Sequence, residues 1–488
     1  MEFYIFNKER KSNMRIAMVA SESNPYVKTG GLADVVYALS KEMVETGEEV
    51  AVFIPLYNDV RKKLTKSEIV GNVTVYLSWR METCNVYHEK KDGIDFYFIE
   101  NQHYFERDRI YGYDDDGERF ALFAQAAVFA IKAIDFKPQI IHVHDWQAAM
   151  IPCLCKESRD PYFFKTRYVL SIHNPAFQGI IYRESLGDLY NLPPYLYDTG
   201  VLRFGNVAST LKAGIMYSDK IVTVSPTHRC ELLTKEGGMG LDTTLQYREF
   251  DFCGFLNGID YQEFNPETDK YIFANYGPTN FLTGKKKNKA ALCEKLGLKN
   301  KEAPLFSLVS RVTWQKGMSL VFAAAHNLVR QGANIILLGS GEANYEQEMQ
   351  RLRDLYPEQV YIFIGYSNEL AHQIYAASDF FMMPSLFEPC GLGQMIAQRY
   401  GTLPIVRRVG GLKDSVINYD TFNLETSNGF GFDEFSEYEM NRTCLFALEQ
   451  FHNKDVMKKL VKNALLTDNS WKKSGEEYHG LYRDIAVK

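Results

Sequence analysis

Short apolar runs alternate with amphipathic stretches along most of the chain. Apolar runs of roughly 4–8 residues bounded by turn residues predict buried strands, and a spacing of three to four predicts helices. In the first half the pattern predicts strands over residues 15–20, 49–56, 94–99, 139–144, 168–172 and 220–224. Helices are predicted between them, over 32–46 and 119–134 for example. Near residues 254–261 the pattern changes: GFLNGIDYQEFNP is rich in turn residues and carries no helical period, which predicts a linker. A second alternating series follows, with strands over 305–310, 334–339, 360–364, 380–383 and 402–406. Its helices fall over 318–330, 343–355, 368–377 and 391–400, and a last helix over 470–485.

Strands alternating with helices predict α/β architecture with parallel sheets. The expected organisation is two doubly wound, Rossmann-like domains facing each other across a deep cleft. The first covers residues 14–253, a hinge 254–262, and the second domain 263–462. Residues 463–488 are expected to pack back on the first domain, because Trp471, Tyr478, Leu481 and Tyr482 need an apolar partner.

Composition narrows the function classes. A net charge of −6 argues against a broad nucleic-acid or membrane surface. No apolar run reaches the ~20 residues that span a bilayer. The opening MEFYIFNKERKSN reads as a polar tail without a cleavage signal, which makes Met14 a candidate start. Eight cysteines scattered over 488 residues fit a reducing cytoplasm rather than a disulfide framework. The lysine cluster at 285–289 reads as a solvated helix start.

Candidate chemistry sits where strands end. KTGGLADV at 28–35 lies between the first strand and the first helix. Its paired Gly30 and Gly31 allow a sharp turn and close approach to a ligand, and Lys28 adds a mobile charge. The helix N-terminus behind them suits a phosphate. In SRVTWQKG, at 310–317, Arg311 and Lys316 stand at the carboxyl edge of a sheet, where two cations fit a diphosphate. PSLFEPCGLGQ at 384–394 puts Glu388 just before a predicted helix, where a carboxylate is either a ligand group or a cap. Cys390 there reads as lining a pocket, since nothing pairs it with a base.

HVHDW, at 142–146, puts His142 and His144 on one strand face and Asp145 beyond it. Neither a HExxH motif nor a cysteine quartet completes a metal site. SIHNPAFQG places His173 and Asn174 at another strand end. Neither GxGxxG after a tight strand nor GxxxxGK[ST] is present, which disfavours dinucleotide and ATPase chemistry. One half thus offers Lys28, Asp145 and His173, and the other Arg311, Lys316 and Glu388. That set suits a phosphorylated donor reacting with a polar acceptor.

These motifs, with LKAGIMYSDKIVTVSPT, LNGIDY, YGTLPIVRRVGGLKDSV and NSWKKSGEEYHGLYRDI, resemble bacterial glycogen synthases and plant starch synthases. The resemblance runs in order from about residue 14 to the end. It implies a GT-B fold and retaining transfer of glucose from ADP-glucose to the nonreducing end of an α-1,4-glucan. Glycogen or a malto-oligosaccharide would be the acceptor and ADP the product, with neither a cofactor nor a metal.

It further implies that Lys28, Gly30, Gly31 and Asp34 form a donor-side loop, and that Arg311 and Lys316 hold the diphosphate. Tyr366 would lie by the adenine. Glu388 and the backbone of Cys390, Gly391 and Leu392 would take the glucose hydroxyls. Asp145 and His173 would line the sugar side, with Asn257 at the hinge. Pro175, Phe177 and the segment 234–249 depart from the family pattern. The alternatives are a GT-B transferase using UDP-glucose or another acceptor, and a non-catalytic glucan-binding homologue.

Overall fold

Apolar runs rich in Ile, Val and Phe form strands where the pattern places them, because both faces of a parallel sheet are covered. The structure, a computed structural model, describes residues 13–487; the expected polar tail falls, apart from Asn13, outside the described residues. The chain divides into two units. Unit 1 comprises residues up to Thr223, Leu232–Cys253 and Gly475 onward; unit 2 comprises Val224–Glu231 and Gly254–Ser474.

Unit 1 holds strands β1 (Arg15–Val19), β2 (Glu49–Pro55), β3 (Glu68–Leu77), β4 (Arg80–Lys91), β5 (Ile94–Glu100), β6 (Ile140–His144) and β7 (Arg167–Ile172). The short β8 (Ile180–Ile181), β9 (Arg203–Phe204) and β10 (Val207–Ser209) make a separate three-stranded sheet. With β11 (Lys220–Thr223) and β12 (Phe252–Gly254), the main sheet runs β12-β11-β7-β6-β1-β2-β5-β4-β3. Ile16 of β1 faces Val50 of β2 on one side and Ile140 of β6 on the other. The sheet therefore reverses its winding between β1 and β6, and a reversal opens a crevice beyond the strand carboxyl ends.

Unit 2 repeats this arrangement with β13 (Leu305–Val309), β14 (Asn334–Gly339), β15 (Val360–Ile364), β16 (Phe380–Met383), β17 (Leu403–Arg407) and β18 (Phe430–Phe432). Its order is β15-β14-β13-β16-β17-β18, all parallel, with the reversal between β13 and β16. Phe306 and Phe380 stack across that point, ring centres 4.7 Å apart. Each such fully buried side chain contributes roughly 1.5–3 kcal/mol.

The structure corrects several expectations. The β3–β4 hairpin is antiparallel and extends the first sheet, although the pattern between residues 56 and 94 predicted no strand. Val224–Glu231 joins unit 2 rather than the first domain. Ser225 Oγ donates to Pro389 O (2.7 Å), and Thr227 N and Oγ1 both donate to Asp414 (2.8 and 2.6 Å). The last helix, Trp471–Ile485, changes unit at Gly475, not at residue 463. A Cβ on Gly258 would meet the Trp471 backbone in unit 2, whereas Tyr482 bonds His142 in unit 1.

The lysine cluster is only partly solvated. Lys285 Nζ donates to Ala376 O (3.2 Å), Tyr400 O (3.1 Å) and Thr402 Oγ1 (2.9 Å), and burial pushes its ammonium down to about 7. Lys289 pairs with Asp379 at 2.6 Å. Both reach inward because backbone carbonyls and a carboxylate from distant elements await them.

Candidate active site

In unit 1 the loop after β1 is pinned by a residue that the sequence reading did not single out. Glu22 is buried and accepts from the Thr29 backbone N–H, from Thr29 Oγ1 (3.0 Å) and from Tyr111 OH (3.2 Å). Burial raises its carboxyl against the pull of these bonds. The glycines are not needed for a turn. Gly30 is extended (φ −151°), and a Cβ on Gly30 or Gly31 would meet nothing within 4 Å. What they contribute is access: the helix Gly31–Glu45 starts without a side-chain cap, so its first amides can donate to a ligand. Lys28 is not the mobile charge expected. It is exposed but paired with Asp34 at 2.7 Å, and Asp34 also accepts from Asn24. Asp34 thus holds Lys28 in place.

At the ends of β6 and β7 lie Asp145 and three histidines. Asp145 opens the short helix Asp145–Ala148 with φ +53°, a conformation that Asp tolerates better than most residues. Its carboxylate accepts from the backbone N–H of His173 (2.7 Å) and Asn174 (3.4 Å), so it ties one strand end to the next. Burial lifts it to about 7, although those bonds pull the other way. His142 is satisfied by Tyr482 OH (2.7 Å) and Ser171 Oγ (2.8 Å), and His144 Nδ1 lies 3.0 Å from His173 Nε2. Burial pushes His142 down to about 3 and His173 to about 4, so these rings are neutral near pH 7.

The raised Asp145 has a measurable consequence. An unfolded Asp ionises near pH 4. Between there and about pH 7 the unfolded chain has lost this proton while the folded chain keeps it. The stability associated with the protonated carboxyl is therefore complete at low pH and is lost as pH rises toward 7. Asp145→Asn is expected to stabilise the protein more at pH 8 than at pH 5, by roughly 2–3 kcal/mol in urea unfolding. An identical effect at both pH values would show the carboxylate ionised throughout.

In unit 2 the loops after β13 and β16 meet at the winding reversal. Lys316 ends the short turn Trp314–Lys316, which closes on Gly317. Gly317 has φ +70°, and a Cβ there would lie 2.2 Å from Pro384 O. The loops are laced together: Leu386 N donates to Gln315 O (2.8 Å) and Gln315 Nε2 to Phe387 O (3.1 Å). Lys316 Nζ pairs with Glu388 Oε2, and Ser385 Oγ donates to the same oxygen at 3.0 Å. The two side chains are only 13% and 9% exposed. Arg311, on the same strand end, is exposed.

Glu388 is no helix cap. The helix expected from Gly391 starts at Gly393, and its N-cap Leu392 makes no side-chain bond. Gly391 has φ +72°, and a Cβ there would lie 2.6 Å from Gln394 Oε1. Glu388–Gly391 instead forms a loop held by backbone, with Gly411 N donating to Glu388 O (3.2 Å) and Pro389 O (3.1 Å). Glu231 accepts from Gly410 N at 2.8 Å. Cys390 is buried and its thiol is pushed up to about 12, which suits a pocket wall and not a nucleophile. Asn257 is buried, and its Oδ1 has no partner among the described residues. Tyr366 follows β15, two strands from β13. It is 77% exposed, and its OH donates to Asn368 Oδ1 at 3.0 Å.

Unit 2 therefore gathers Lys316, Glu388, Cys390, Gly391 and Leu392 at one reversal, with Arg311 beside them. Unit 1 places the Lys28–Asp34 loop, Asp145 and His173 at the ends of β1, β6 and β7. Glu22, Tyr111 and Ser385 support these sets. Their only sequence signal is position: Glu22 and Ser385 each follow a predicted strand by two residues.

A family model described as the starch synthase catalytic domain matches residues 15–247. One described as glycosyl transferases group 1 matches residues 294–465. Glycogen synthase of Streptococcus mutans serotype c is 44% identical over 481 residues, covering 97% of this chain and 100% of that protein. The chain belongs to the glycogen synthase family. Glycogen synthase of Clostridium beijerinckii is also similar, 41% identical over 97% of this chain and 99% of its own. Among solved structures, the catalytic domain of starch synthase IV from Arabidopsis thaliana, bound to ADP and acarbose, matches with TM-score 0.89 and 33% identity. The match covers 98% of this chain and 100% of that one. Sucrose-phosphate synthase from Thermosynechococcus elongatus shares the fold alone, at 16% identity and TM-score 0.58. Like other glycogen synthase family members, this protein is a glycosyltransferase of GT-B fold.

Proposed function

We propose that this protein transfers glucose from ADP-glucose to the nonreducing end of an α-1,4-glucan with retention, releasing ADP. Glycogen or a malto-oligosaccharide is the acceptor. The carrying observation is the Lys316–Glu388 pair at the winding reversal of unit 2. A cation poised beside a carboxylate matches a reaction in which negative charge grows on a leaving phosphate while the sugar carbon becomes positive. The family relationship and the ADP and acarbose bound by the Arabidopsis enzyme support the same reading.

In this reading Arg311 and Lys316 hold the diphosphate, and Tyr366 lies by the adenine. Glu388 and the backbone of Cys390, Gly391 and Leu392 take the glucose hydroxyls, with Asn257 behind them. On unit 1, Lys28 and the amides at Gly30 and Gly31 serve the donor, and Asp145 and His173 the sugar. The bond from the anomeric carbon to the phosphate oxygen breaks. The acceptor 4-hydroxyl oxygen bonds that carbon from the same face, and its proton passes to the departing phosphate. Eight cysteines scattered over the chain fit a cytoplasmic setting.

The test compares kcat/KM for ADP-glucose and UDP-glucose on one glycogen preparation, with digestion of labelled product to fix the linkage. A preference for ADP-glucose and an α-1,4 product are expected. A UDP-glucose preference would overturn the donor, and a lack of transfer from either donor would overturn the reading.

A further inference from the structure

The three histidines at the ends of β6 and β7 carry more information than their neutrality. His142 and His144 are wholly buried and their rings pack 4.2 Å apart, tilted by 31°. Tyr482 OH and Ser171 Oγ occupy both nitrogens of His142, so its ring is fixed and backs that of His144. Among the described residues His144 has one hydrogen-bond partner: Nδ1 lies 3.0 Å from His173 Nε2, while Nε2 is buried without any.

A neutral imidazole has one N–H and one bare nitrogen. If His144 carried its proton on Nε2, a buried donor would be left without a protein partner. Orphaned buried N–H groups are rarer and costlier than under-used acceptors. The bare nitrogen of His144 is therefore Nε2, and Nδ1 holds the proton. That proton points at His173 Nε2, which must accept it. His173 Nε2 is then bare, and its own hydrogen sits on Nδ1. His173 Nδ1 has no partner among the described residues and is not among the buried unpaired atoms, so it faces outward.

We propose that His144, by burying an empty Nε2, fixes His173 as the Nδ1–H tautomer and makes its outward nitrogen a hydrogen-bond donor. The use of that donor on a sugar hydroxyl or a developing oxyanion rests on the function proposed above; the tautomer does not. His144 is thus a positioning residue. His173 does not act as a general base, because its outward nitrogen already bears hydrogen.

The test is nitrogen NMR of the full chain carrying ring-labelled histidine, with His173 assigned by the signals lost in His173→Asn. A protonated-type shift at Nδ1 and a bare-type shift at Nε2 are expected at pH 7. The reverse assignment, or protons on both nitrogens, would overturn the proposal. In His144→Leu the His173 signals are expected to move toward a mixture of tautomers, while His144→Asn, which keeps a donor near Nδ1, holds them. Unchanged His173 shifts in a folded His144→Leu protein would remove His144 from the assignment. If His144→Leu fails to fold, the shifts of the parent protein decide alone.

Activity gives a separate reading. The His173→Asn amide reaches the place of Nδ1, and that of His173→Gln the place of Nε2. His173→Asn is expected to keep about tenfold more kcat than His173→Gln at similar KM. A Gln variant equal to or better than Asn would count against an outward donor. Should the protein transfer no glucose, the NMR result would still stand or fall by itself.

Discussion

Glu388→Gln is expected to lower turnover about a hundredfold or more while leaving ADP affinity within about tenfold. The substitution keeps the size of the side chain and an oxygen for Ser385 Oγ, which donates to Glu388 at 3.0 Å. It removes the charge that faces Lys316 and, in the proposed reaction, the anomeric carbon. A group whose interaction grows only in the transition state changes kcat without changing binding of the leaving group. Because the helix begins at Gly393, a capping role is not available to explain a loss. The measurement is kcat beside ADP affinity by calorimetry, each per folded molecule. Normal kcat, or a loss matched by weaker ADP binding, would remove Glu388 from the chemistry.

Lys316→Ala should cost roughly 2.7–4 kcal/mol of transition-state stabilisation, a hundredfold or more in kcat/KM. Lys316 is 13% exposed, and its one ion pair among the described residues is with Glu388. When a diphosphate binds, the ammonium can turn from the carboxylate to the phosphate, trading one ion pair for another. Removing it strands the Glu388 carboxylate with Ser385 alone, so folding stability should also fall, by up to about 3–5 kcal/mol. Both quantities therefore need measuring. Lys286→Ala is the control, since Lys286 pairs with Glu302 at an exposed site and belongs to neither set. If the activity of Lys316→Ala falls only in proportion to the folded fraction, the pair is structural and the diphosphate role is wrong.

Much of unit 2 was legible because its strands are short, apolar and bounded by turns. The patterns over 318–330, 334–339, 343–355, 360–364, 368–377 and 380–383 form elements at those residues. The helix start at Gly391 was misplaced because a loop with φ +72° carries the same residues as a helix entry. The β3–β4 hairpin is hidden in the sequence for a related reason. Its strands meet at Ser78 and Trp79, which lack the Asn-Gly or Asp-Gly signal of a tight turn.

The site divides in the same way. Lys316 and Glu388 were recognisable as strand-end polar residues, but their ion pair joins residues 72 apart in sequence. Glu22 carries no local signal, because its partners, Thr29 and Tyr111, come together only once β1 and the segment before the helix Asp116–Ala133 have packed. Lys285 and Lys289 read as solvated because a lysine run usually is, yet Asp379 and the carbonyls of Ala376 and Tyr400 draw both inward.

By itself, then, the sequence determined the α/β alternation, the change of pattern near residue 254 and which polar residues follow strands. These are local properties, written in periodicity and turn chemistry over a few residues. Only the tertiary structure decided the strand order, with its reversals at β1–β6 and β13–β16, and the transfer of Val224–Glu231 to unit 2. It alone decided which charges are paired and which partners the ring nitrogens of His144 and His173 meet. Those depend on burial and on partners distant in sequence, since a group's charge and tautomer follow from what desolvates it and what it touches.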